Sequence, residues 1–231
     1  MALCDWFAEA RDDYVSNWAL LDKTLYDLCD AHPRHDTILA INAKIQIIGL
    51  SYQTGIQRHV DLGQFEGLQG GAIRRVTNHL FDKREDVDAV FVRLRELREP
   101  LSTEQCNEAL CLHNQLLEIL TPITRGLRLV SFPAKYMHFH CRAMPIFDRM
   151  AYDFIRYVCD VPRELNINPD NDLVNPDYLE YVQRFYSLYK KLRENCGNTS
   201  VKLVDHFINF ANESDHRAQM IHSINGAFAG Q

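Results

Sequence analysis

Residues 116–155 read LLEILTPITRGLRLVSFPAKYMHFHCRAMPIFDRMAYDFI. An apolar helical stretch runs into Pro122, a turn containing Gly126 follows, Pro133 stands at the opening of a second helix, and Asp148 opens a third after Pro145. Proline lacks an amide hydrogen and is tolerated in a first helical turn. Aspartate at the start of a helix accepts the free amides there. The segment therefore predicts helix, short turn, helix, loop and capped helix.

The same grammar extends outward. Residues 5–29 carry Trp6, Phe7, Tyr14, Trp18, Leu21, Leu25 and Leu28 at helical spacing. Asp36 reads as the cap of a helix to about Arg58, apolar on most faces and so buried. GQFEGLQGG at 63–71 reads as a loop, with helices at about 72–81 and 86–98. Ser102 with Gln105 forms a capping box for a helix with Cys106, Ala109, Leu110, His113, Leu116, Leu117 and Leu120 on one face. The stretch 160–176, rich in Pro, Asn and Asp, reads as a long loop before helices near 177–194 and 200–212 and a tail. No strand-like alternation is found, so the fold class is all-α. The last segment is too short for a core of its own, so residues 1–231 are read as a single domain.

The 231 residues hold 46% apolar and 24% charged side chains, enough for a core and unlike a disordered chain. Seven cysteines without paired spacing argue against disulfides and for a reducing compartment. The opening MALCDWFAEARDD is no signal peptide and no run of 18 apolar residues occurs, so the expectation is a cytoplasmic protein without membrane association. A net charge of −6 is the wrong sign for coating nucleic acid. One region differs. From Ile119 to Phe147 there is no Asp or Glu, while Arg125, Arg128, Lys135, Arg142, His138 and His140 are all present, which predicts a focused positive patch.

Lys135, placed near its helix start and flanked by Phe132, Met137 and Phe139, has surroundings that disfavour a charged amine, and a neutral amine is a nucleophile able to form a Schiff base. Asp148, stabilised as an anion at a helix N-terminus, could stabilise an oxocarbenium-like transition state beside it. The alternative is a solvated lysine and an ordinary cap.

The order helix, hairpin, helix, Lys135, loop, Asp148 resembles the helix-hairpin-helix DNA glycosylases, and SFPAKYMHFHCRAMPIFDRMA at 131–151 is most similar to their 8-oxoguanine glycosylase-like branch in prokaryotes. Leu50-Ser51-Tyr52-Gln53-Thr54 resembles the family's LSxQT signature on an earlier helix. The resemblance covers about 50–155. It implies a helix-hairpin-helix glycosylase-like fold and a lysine-dependent DNA glycosylase/AP lyase acting on a damaged or modified purine. The nucleotide is flipped out of the duplex, Lys135 attacks the sugar carbon, Asp148 stabilises developing charge, and β-elimination follows. Gln53 would reach toward the gap left by the base, with Tyr52, Thr54, Phe132 and His138 about the base. Arg125, Arg128, Ser131 and Arg142 would meet DNA, the hairpin amides holding a phosphate. Ser131 and Pro133 stand where the family hairpin carries glycines, and proline has no amide to give. That departure, with the acidic charge, favours the alternative of a non-cleaving module that recognises a modified nucleobase, nucleotide or nucleobase-modified protein. Relatives of this branch occur beside anti-phage, CBASS-type signalling genes, so a protein partner from such an operon is a further expectation.

No metal or cofactor is expected. Cys106, Cys111 and His113 match no zinc spacing, and the four closely spaced cysteines of the iron–sulfur glycosylases are absent. His138 and His140 point to different helix faces. Tyr178, Tyr181, Phe185 and Tyr189 form a stripe read as core, with base stacking as the alternative. Lys190-Lys191-Leu192-Arg193 reads as a solvated helix end.

Overall fold

The computed structural model describes residues 1–52, 54–159, 167 and 174–229. Among them are twelve α-helices, two single-turn 3-10 segments and no strand. The helices are α1 Leu3–Asn17, α2 Ala19–Ala31, α3 Ile38–Ser51, α4 Ile56–His59, α5 Gly71–Asp82, α6 Arg84–Leu94, α7 Thr103–Leu120, α8 Ser131–His140, α9 Arg149–Val158, α10 Pro176–Cys196, α11 Val201–Glu213 and α12 Arg217–Ala229. The all-α reading holds. The expected loop at 160–176 lies largely outside the described residues.

Local chemistry places the boundaries. The Ser102 hydroxyl accepts from the Gln105 amide at 3.3 Å while the Gln105 side chain accepts from the Ser102 amide at 3.2 Å, and the predicted apolar face of α7 is buried throughout. Asp148 caps α9 by accepting from the Met150 amide at 2.9 Å. Three expectations are corrected. The single helix expected at 5–29 is two, because Trp18 leaves helical geometry, its N–H closing α1 on Tyr14 and its carbonyl opening α2. Apolar spacing does not register a one-residue break. The helix expected to reach Arg58 ends at Ser51, and Gly55 in the left-handed region (φ 74°) separates it from α4. The expected tail is α12, whose Met220 and Ile224 are fully buried one turn apart.

α1 packs against α10, α11 and α12, so the first helix sits among the last three. One apolar cluster runs from Leu3 to Ile224. A disulfide joins Cys4 of α1 to Cys196 at the end of α10, with Cα atoms 5.2 Å apart and a sequence separation of 192. This corrects the expectation of a chain without disulfides: residues so far apart in sequence leave no spacing motif. The other five cysteines are not disulfide-bonded, and four of them are buried.

α8 is the central helix. It meets α2, α3, α6 and α7, and Phe132, Ala134, Tyr136, Met137 and Phe139 are each at most 1% exposed. The tyrosine and phenylalanine stripe of α10 is core, Tyr178, Tyr181 and Phe185 being fully buried. Lys191, expected in solvent, is instead buried with its ammonium 5.7 Å from the Phe228 ring centre, because α12 folds over it. Among the described residues no helix is long and apolar enough to cross a membrane.

Candidate functional site

Burial of α8 carries Lys135 with it. Its side chain is 4% exposed and is held between two acceptors, the Asp148 carboxylate at 2.9 Å and the Tyr52 backbone carbonyl. Tyr52 ends α3, so one ammonium joins α3, α8 and the start of α9. Asp148 uses its other oxygen for the α9 cap, so its two oxygens are fixed in different directions. The expectation that Lys135 occupies the first helical turn is corrected. α8 begins at Ser131, so Lys135 is its fifth residue, and a helix dipole acts mainly on the first turn. Its immediate electrostatic partner is the carboxylate.

Lys135 and Asp148 share the wall of a cavity of about 580 Å³ with Trp18, Tyr52, Ile146, Met150 and a face of α11. Lys202, Asp205, His206, Asn209 and Glu213 stand on that face of α11 at i, i+3, i+4, i+7 and i+11. The opposite face, Val201, Val204, Phe207, Ile208 and Ala211, is core. Lys202 bridges Asp205 at 3.2 Å and the wholly buried Asp22 of α2 at 3.4 Å, and lies 5.3 Å from the Tyr52 ring centre. The Tyr52 hydroxyl donates to Asp22, so the residue whose carbonyl holds Lys135 is itself held by a buried carboxylate. Burial raises the Asp205 carboxyl above its ordinary value, with Lys202 and Lys135 opposing. His206 Nε2 lies 2.8 Å from Asp13 of α1, and burial lowers the ring below its ordinary 6.5.

The other predicted positions divide between the cavity and the core. Tyr52 lines the cavity; Gln53 lies outside the described residues. Thr54 is 3% exposed, its hydroxyl without a hydrogen-bond partner among the described residues, and it is away from the cavity wall. The reading of Phe132 and His138 as base contacts is corrected, since both are core. Phe132 is 1% exposed and stacks on Tyr136. His138 is fully buried, with Nδ1 2.7 Å from the Met144 carbonyl and Nε2 2.6 Å from the Tyr26 hydroxyl. The apolar residues of so central a helix go inward.

The expected positive patch is also corrected. Each of its arginines meets a carboxylate from outside the acid-free segment: Arg125 with Asp61 at 3.8 Å, Arg128 with Glu118 at 2.7 Å, Arg142 with Asp30 at 3.6 Å. Arg142 also lies over the Tyr26 ring. Arg125 and Arg128 flank the α7–α8 turn, where Arg125 (φ 52°) and Gly126 (φ 75°) are left-handed. The turn lies beside the segment after α4, with the Asp61 amide donating to the Ile123 carbonyl at 2.8 Å. Ser131 begins α8, its hydroxyl buried without a hydrogen-bond partner among the described residues, and Pro133 is the third residue.

Asp13, Asp22, Lys202, Asp205 and His206 were not legible as site residues. One signal was present: VKLVDHF at 201–207 places charged groups within a helix otherwise apolar enough to be core. Comparison with family models, curated proteins and solved structures found no match.

Proposed function

We propose that the protein is a lysine-dependent DNA glycosylase/AP lyase acting on a damaged or modified purine of the 8-oxoguanine type. The observation that carries this reading is the Lys135–Asp148 contact at 2.9 Å on the wall of a cavity large enough for a nucleobase. A lysine alone on a surface does no such chemistry. A lysine desolvated, aimed into a cavity and paired with a proton acceptor has the parts a nucleophile needs.

The steps follow from that geometry. The target nucleotide leaves the duplex and enters the cavity. Asp148 takes one proton of the Lys135 ammonium, and the Tyr52 carbonyl holds a second N–H. The amine forms a bond to C1′ of the sugar as the bond to the base nitrogen breaks, its electron pair leaving with the base. Loss of the ring C–O bond gives the Schiff base. Half-exposed Trp18 and Met150 offer the flipped base an apolar surface.

The test is borohydride trapping with duplexes carrying 8-oxoguanine or an abasic site. The expected result is a covalent adduct that Lys135→Ala abolishes. Absence of adduct on every duplex overturns the reading.

A second reading has its own support. Among the described residues the cavity wall carries Asp13, Asp148, Asp205 and Glu213 against Lys135 and Lys202, and the turn arginines are paired. A non-cleaving module that recognises a modified nucleobase, nucleotide or nucleobase-modified protein, with a partner in anti-phage signalling, suits an acidic cavity better than duplex binding does. Tight binding of a free modified nucleoside without any adduct is the result expected of it.

A further inference from the structure

We infer that Asp13 and His206 form a general-base dyad in the same cavity, which removes the sugar C2′ proton in the strand-cleaving elimination. The inference rests on the glycosylase/lyase reading above. It concerns a step for which Lys135 and Asp148 provide no separate base, since both are committed to forming the Schiff base.

Four observations support it. His206 and Asp13 both line the cavity that Lys135 and Asp148 line. The Nε2–Oδ2 distance of 2.8 Å is a directed hydrogen bond, in which Nε2–H donates to the carboxylate and leaves Nδ1 with the lone pair. The pair joins residues 193 apart in sequence, on α1 and α11, so it is a product of the tertiary fold and not a local helix contact. The ring is held in place by Tyr14 at 5.4 Å and Phe210 at 6.4 Å between centres. An imidazole oriented by a carboxylate and facing a cavity that already holds a nucleophile has the arrangement of a base with its orienting group.

The protonation state agrees. The charged and titratable groups about the ring are Asp13 and Tyr14 from α1, and Lys202 and Asp205 from α11. Glu213, Lys135 and Asp148 line the same cavity. Desolvation outweighs the two carboxylates, and the ring stays neutral at physiological pH.

The step balances without a further reactant. In the Lys135 Schiff base the C2′–H proton passes to the free ring nitrogen of His206, and its electron pair forms C1′=C2′ as the iminium pair moves to nitrogen. The nitrogen pair then restores the iminium, C2′=C3′ forms, and the C3′–O bond breaks with its electrons leaving on the 3′ phosphate. Asp13 stabilises the imidazolium until the proton is released to water.

The test uses the full chain and a duplex with a preformed abasic site, and reads adduct and strand cleavage separately. In His206→Gln, borohydride trapping is expected to stay within a few-fold of wild type while cleavage falls about 10²-fold or more. Asp13→Asn is expected to fall less, with trapping likewise kept. Added imidazole is expected to restore cleavage in His206→Ala. Wild-type cleavage is expected to fall as pH drops through a value below 6.5, with trapping showing no such step. Trapping and cleavage both unchanged in His206→Gln overturns the dyad and leaves the lysine reading standing. Loss of both together marks a structural role and also overturns it. A wild-type protein that gives no adduct overturns the lysine reading, and the dyad's role in elimination with it.

Discussion

Asp148 binds Lys135 through Oδ2 at 2.9 Å and caps α9 through Oδ1, which accepts from Met150 at 2.9 Å. One side chain thus performs two jobs that chemistry can separate. Asparagine is as good a helix cap as aspartate but carries no charge. Asp148→Asn is therefore expected to keep α9 and leave the Lys135 ammonium, 4% exposed, without its counter-ion. Asp148→Ala loses both. Because Asp148 itself is 27% exposed, the charge loss falls below the full cost of breaking a buried pair, at about 1–3 kcal/mol, with about 1 kcal/mol more for the cap. Urea unfolding of the two variants checks this, and equal stabilities would show that the cap contributes nothing.

The buried histidines set an acid limit on the fold. His113 is 1% exposed with Nε2 3.1 Å from the Val130 carbonyl, and burial pulls it down to about 4. His138 is pulled down to about 3 by burial, with Lys202 and Arg142 adding to the shift. In the unfolded chain both take up a proton near 6.5. Unfolding therefore binds protons between those values, so stability is complete above pH 6.5 and declines as pH falls. Each histidine contributes a slope of up to about 1.4 kcal/mol per pH unit. Urea midpoints between pH 7 and pH 5 test this. His138→Asn is expected to flatten the dependence by about one proton, and an unchanged slope would place His138 outside it.

Much of this was legible locally. Ser102 with Gln105, Asp148 before an amphipathic run, and the apolar spacing of α7 each act within one turn, and each sits where its chemistry puts it. What failed was long-range. The resemblance put Phe132 and His138 about the base, but α8 is packed between α2, α3, α6 and α7, and of its described residues it is Lys135 that lines the cavity. The acid-free run from 119 to 147 looked basic because its carboxylates, Asp30, Asp61 and Glu118, lie outside it in sequence. The part of the cavity wall on α1 and α11 depends on those helices meeting, and no spacing in the chain announces that contact.

The turn between α7 and α8 tests whether its charge or its shape matters. Arg125 holds a left-handed backbone (φ 52°), which costs a non-glycine residue about 1 kcal/mol, and its guanidinium is 3.8 Å from an Asp61 that is itself half exposed. Arg125→Gly is expected to leave stability unchanged or raise it by up to about 1 kcal/mol. If the turn meets a phosphate, the same change weakens duplex binding alike for all sequences and lowers the salt slope of log K by about 1. Binding titrations across salt concentrations measure it, and an unaltered slope would remove Arg125 from the nucleic-acid interface.

The Cys4–Cys196 bond closes almost the whole chain, its ends separated by 192 positions in sequence. By the chain-entropy account, cross-linking residues so far apart restricts the unfolded state strongly, and the expected contribution is about 3–5 kcal/mol. It also fastens α1, which carries Asp13, to the C-terminal helices that carry His206, so its loss reaches the cavity. Cys4→Ser with Cys196→Ser should unfold at lower urea, and reductant should bring wild type to the same midpoint while leaving the double variant unmoved. Thiol titration in denaturant without reductant is expected to find the five cysteines outside the bond and, after reduction, all seven. Seven thiols before reduction would show the pair open, and the stability of the double variant would then match wild type.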